Sequence, residues 1–122
     1  MAITKRVFVF GNPYLEEDSF ALQVGRHLKK IKVVPCENPD FLLDLPEEHI
    51  TILDVVQNIK KPILIKDLTQ LQSRTMVSLH DFDLGFFLLL IKKLGIPKKI
   101  KIIGVPQQGD AQKIASQVKP WI

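Results

Sequence analysis

One run limits what this chain can fold into more than any other: Ile50-Thr51-Ile52-Leu53-Asp54-Val55-Val56. It is almost continuously β-branched and apolar, so a strand formed from it must be covered on both faces. Strands of that kind lie in the middle of a mostly parallel sheet between layers of helix. Asp54 is the only charged residue inside the run, and an ionised carboxylate there needs a hydrogen bond, a counter-charge or a cation to offset its desolvation.

The rest of the chain supplies the partners such a strand requires. Lys5 to Phe10 is a β-rich run ended by Gly11-Asn12-Pro13, which predicts a buried strand and a turn. From Leu15 to Lys30 the period becomes helical, through Ala21, Val24, Gly25 and Leu28. Glu16, Glu17 and Asp18 stand in the first turn and Lys29-Lys30 in the last, as the helix dipole prefers. Lys32 to Val34 predicts a short strand before Pro35, and Phe41, Leu42 and Leu45 a helical turn that Pro46 ends. Pro62 to Lys66 offers another strand, Ser78 to Leu94 a second long helix, Lys99 to Val105 a last strand and Asp110 to Val118 a closing helix. Strands alternating with helices predict an α/β fold in three αβα layers, with a twisted, mostly parallel sheet of about five strands and helices on both faces.

At 122 residues, with 46% apolar and 25% charged content, residues 1–122 form one domain with one core. The formal charge is +4. Much of the surplus lies in Lys29-Lys30, Lys60-Lys61, Lys92-Lys93 and Lys98-Lys99, pairs scattered over helix ends and turns. No aromatic residues interleave them, so a solvated surface describes them better than a nucleic-acid stripe. Cys36 is the single cysteine, which leaves no disulfide framework and no CxxC motif and fits a reducing compartment. Val7 to Phe10 and Phe86 to Ile91 are too short to span a membrane, and no signal-peptide pattern precedes the first. The expectation is a soluble cytoplasmic protein.

In open α/β sheets ligands bind beyond the carboxyl ends of the strands. Asn12 and Asp18 follow the first strand, Asp54 sits near the end of the central one, and His80 stands at the start of the second predicted long helix. Each has a plainer account. Asp18 suits the helix dipole, Asp54 can cap a helix or reach solvent, and His80 beside Ser78 and Asp81 can belong to a cap. Taken together, two carboxylates and an imidazole at one sheet edge make an O/O/N set with open positions, suited to Ni²⁺, Zn²⁺ or Fe²⁺. Gly11-Asn12-Pro13 lacks the spacing of a phosphate loop. Ser19 and Ser78 lack a GxSxG context, and Cys36 has no activating neighbour in sequence.

These residues carry a resemblance. Gly11-Asn12-Pro13-Tyr14-Leu15-Glu16-Glu17-Asp18, Ile52-Leu53-Asp54, Ser78-Leu79-His80 with Leu84, and Ile102-Ile103-Gly104-Val105 resemble, in order and spacing, the motifs of the hydrogenase maturation endopeptidases. Members of that family trim the C-terminal tail of a nickel-iron hydrogenase large-subunit precursor once nickel is installed. The resemblance implies that Asp18, Asp54 and His80 read a nickel ion carried by the substrate, with no permanently bound cofactor. It also implies that Asp18 or Asp54 activates the attacking water, and that Asn12, Glu37 and Asn38 border the substrate cleft. Three departures stand out. The glycine-rich loop after the second strand reads Cys36-Glu37-Asn38-Pro39, Glu17 and Ala21 replace an aspartate and a glycine, and the chain is short between Asp54 and His80 and at its C-terminus. The altered loop keeps open a second reading, a non-catalytic module that recognises a metal-loaded partner without cutting it. A third is an α/β domain whose polar residues only cap helices and pair with lysines.

Overall fold

In a computed structural model of the chain, residues 5–10, 16–36, 39–57, 59–66, 78–79, 89–96 and 98–122 are described, residues 16–18, 39–41, 57 and 78–79 through their backbone alone. The elements run β1 (Lys5–Phe10), α1 (Glu16–Arg26), β2 (Ile31–Cys36), a 3-10 helix (Pro39–Asp44), β3 (His49–Gln57), β4 (Ile63–Ile65) and β5 (Ser78–Leu79). A helical segment α2 over residues 89–93 precedes β6 (Lys99–Val105), α3 (Ala111–Val118) and a closing 3-10 turn, Lys119–Trp121. The strand order is β2-β1-β3-β6-β4, with β5 paired to β3 off that path. β2, β1, β3 and β6 are mutually parallel, whereas β4 and β5 run antiparallel to their neighbours.

The 50–56 run is the centre of this sheet, as its lack of alternation requires. Ile50 and Ile52 pack with Phe8, Phe10, Leu42, Leu45, Ile91 and Ile102 on one face. Leu53 and Val55 pack with Val7, Val9, Ile103 and the apolar sides of α1 and α3 on the other. Asp110 caps α3, its carboxylate accepting from the Gln112 and Lys113 amides at 3.1 and 3.2 Å. The helix is thereby held with Ile114, Ala115 and Val118 buried. α2 ends in a Schellman motif, the Ile96 amide donating to the Ile91 carbonyl and that of Gly95 to Lys92, each at 3.2 Å. Gly95 supplies the positive φ of +69° that this turn needs.

Three local expectations change. The first helix stops at Arg26 rather than Lys30, because His27 and Leu28 donate three residues back and Lys30 turns left-handed (φ 66°) to start β2. β2 continues through Pro35 to Cys36. It is an edge strand paired with β1, where a missing N–H on the outer side costs little. Ser78 and Leu79 do not begin a helix. They form a strand against Gln57 and Val56.

Candidate functional site

β1 has β2 on one side and β3 on the other. The chain leaves β1 through α1 over one face, then returns through the 3-10 helix over the opposite face to β3. The crevice at the carboxyl ends of β1 and β3 is therefore the topological switch point of the sheet, where open α/β folds bind ligands. β3 brings Asp54 to that end.

Among the described residues Asp54 is the only polar or charged side chain in the buried class, at 2% exposure. This removes the account in which it reaches solvent at the strand end. In the β3–β6 register Asp54 stands opposite Gly104, and strand alternation puts it on the same face as Ile50 and Ile52. The missing side chain at Gly104 is what lets this corner close: a Cβ there would lie 2.5 Å from Val56 Cγ2 and 3.0 Å from Ile63 Cγ1. Val56 in turn is paired with Leu79. The residue immediately before His80 is thus fixed against β3, two positions beyond Asp54.

Asp18 belongs to the first turn of α1, the helix that follows β1. Its side chain lies outside the described residues, and so do His80, Asn12, Glu37 and the remaining cleft residue, Asn38. No group of three His, Cys, Asp or Glu side chains able to hold a metal occurs among the described residues, a set that contains Asp54 but not the other two expected ligands. Cys36 is buried and free. Burial pushes its thiol up to about 11, partly opposed by Arg6, and its S–H donates to the Val34 carbonyl at 3.5 Å. This is a packed thiol, with none of the thiolate character of a nucleophile. Sequence reasoning missed the β3–β5 pairing, because two residues carry no periodic signal.

No protein-family model matches the sequence, and no curated protein matches it. Solved structures do. The E. coli hydrogenase maturating endopeptidase HybD superposes with a TM-score of 0.64 at 14% identity, over 96% of this chain and 88% of that one. HycI, a NiFe hydrogenase maturation protease from Thermococcus kodakarensis, gives 0.60 at 17% identity over 96% and 91%.

The chain has the fold of the hydrogenase maturation endopeptidases.

An uncharacterized protein from Wolinella succinogenes shares it, with a TM-score of 0.55 at 17% identity over 98% of this chain and 94% of that one. The likeness extends over nearly the whole of each chain. Few residues are identical, so the likeness is one of fold. Among the described residues no helix is long and apolar enough to cross a membrane.

Proposed function

We propose that this protein is an endopeptidase that removes the C-terminal tail of a nickel-iron hydrogenase large-subunit precursor after nickel insertion. The observation that carries the reading is Asp54, a carboxylate 2% exposed at the switch-point end of the central strand, in a chain with the maturation-endopeptidase fold. The desolvation of a charge in an apolar strand must be offset, and a carboxylate placed at such a cost in a ligand-binding crevice is a candidate for chemistry. In this reading the nickel arrives inside the substrate, in the cytoplasm, and Asp18, Asp54 and His80 bind it only there. Asp54 or Asp18 takes a proton from the attacking water, whose oxygen adds to the scissile carbonyl. The proton passes to the departing amine as the peptide bond breaks. Nickel serves as template and Lewis acid and leaves with the processed subunit.

The test is incubation with a nickel-loaded, unprocessed large subunit and mass spectrometry of the released tail. Wild type should cut it, and Asp54→Asn and His80→Ala should each abolish cutting while circular dichroism stays unchanged. A precursor that co-purifies with the protein yet emerges whole would replace the peptidase by the binding module that the altered Cys36-Glu37-Asn38-Pro39 loop keeps open. No cutting and no association, together with no Ni²⁺, Zn²⁺ or Cd²⁺ uptake by calorimetry, would leave only the plain α/β domain.

A further inference from the structure

The loop that leads from β6 into α3, residues 106–110, emerges at the same end of the sheet as Asp54, because β3 and β6 are parallel and Asp54 pairs with Gly104. Only Val105 separates that rung from Pro106. Both ends of the loop are pinned. Pro106 is buried, and Asp110 caps α3 through the Gln112 and Lys113 amides. Between them Gly109 takes a φ of +145°, and a Cβ on it would lie 3.2 Å from Ile114 Cδ1 and 3.8 Å from Phe20 Cζ. Phe20 follows Asp18 by two residues in α1. The loop therefore lies against the N-terminal half of α1, and β6 is the second neighbour of β3, so residues 106–110 form a rim of the crevice on its β6 side.

Two carboxamides stand on this rim. Gln107 is half-buried and Gln108 exposed, and neither side chain has a hydrogen-bond partner among the described residues. Asp110, the other polar side chain of the loop, is committed to its cap. A side-chain carboxamide carries N–H donors and a carbonyl acceptor, the same groups as a peptide unit, so it pairs with a main-chain amide whatever residue that amide belongs to. An extended chain entering a crevice gives up water from its own N–H and C=O groups, and each one left without a partner costs about as much as a lost hydrogen bond. Carboxamides on a loop fixed at both ends supply such partners with little further ordering of the loop.

We propose that Gln107, with Gln108 beside it, binds the main chain of the polypeptide segment that lies in the crevice, reading its backbone and not its sequence. That this segment is the precursor's C-terminal tail rests on the peptidase reading above. The two glutamines act in binding alone, and the proton transfers stay with Asp54 or Asp18.

Cleavage of the nickel-loaded, unprocessed large subunit, followed over a range of precursor concentrations, tests this. Gln107→Ala should raise KM by about fivefold to tenfold, the worth of one or two hydrogen bonds, and leave kcat little changed, as loss of uniform binding does. Adding Gln108→Ala should raise KM further. Melting temperatures should not move, and Gln117→Ala, in the last turn of α3, should leave KM as it is. Precursors with single alanine replacements along the tail should all show the same Gln107→Ala ratio, because the contact is to main chain. An unchanged KM in both glutamine variants, while wild type cuts, would overturn the inference and leave the peptidase standing. So would one tail replacement that abolishes the ratio, since the contact would then be to a side chain. If wild type binds the precursor without cutting it, the peptidase reading fails and the dissociation constant becomes the readout, which Gln107→Ala should raise by the same factor. Neither cutting nor binding would end both.

Discussion

Asp54 and Gly104 occupy one rung of the β3–β6 ladder, and the glycine is required by its neighbours on that face. Val56 fills the space that a side chain at 104 would need, and a valine cannot move aside easily because its branched Cβ confines it to few rotamers. Gly104→Ala should therefore destabilise the protein by about 1–3 kcal/mol, read as a lower urea midpoint. An unchanged midpoint would mean that the corner is looser than the 2.5 Å approach indicates. Cys36 provides a second check at this scale. With its thiol raised to about 11, the native protein at pH 8 holds roughly a hundredfold less thiolate than an ordinary cysteine. Iodoacetamide should label it at least ~10-fold more slowly in the native protein than in urea. Equal rates would contradict the burial.

α3 depends on one cap for its position. The Asp110 carboxylate satisfies two amides that otherwise have no partner within the helix, and the helix lays Ile114, Ala115 and Val118 against the cluster that includes Phe20, Ala21 and Val24 of α1. Asp110→Ala should cost about 1 kcal/mol, while Asp110→Asn, which keeps an acceptor, should cost only a fraction of that. Parallel thermal melts of the two variants decide it, and equal losses would show that charge rather than capping matters. This helix was legible in the sequence from its spacing, to within one residue of Ala111–Val118, but its cap at Asp110 was not. The end of α1 was not. Lysines at 29 and 30 suit a helix terminus, but the return to β2 requires the reversal at Lys30, which no local propensity announces.

Across the whole molecule, the segment between the first 3-10 helix and β3 is tied down from two sides. Arg6 of β1 grips the Glu47 carboxylate through two hydrogen bonds, one of them 2.8 Å from Nε to Oε2. The same guanidinium lies 5.1 Å over the Phe8 ring. Lys98 holds the backbone of the same segment. The hydrogen bond from Arg6 is the main cause holding the Glu47 carboxyl below its ordinary 4.5. Its folded value lies below its unfolded value, so the contribution is complete above about 4.5 and is lost as the pH falls through the lower folded value. The two side chains are 27% and 29% exposed, so water screens the pair, and Glu47→Gln should cost no more than about 1 kcal/mol at pH 7. Urea titrations across an acidic pH series should show a shallower acid limb in Glu47→Gln. An identical limb would remove this pair from the acid response.

The sequence by itself determined the α/β class, the central strand, the parallel core of the sheet and the anomaly of Asp54, because these follow from which residues alternate and which do not. Periodicity and burial are properties of a segment, and a segment carries them wherever it folds. Only the tertiary structure decided that Asp54 is enclosed rather than solvated, that Ser78 and Leu79 pair with β3, and that Gly104 accommodates Val56. These are relations between segments far apart in the chain, fixed by strand order and register, and neither is encoded in any one stretch of residues.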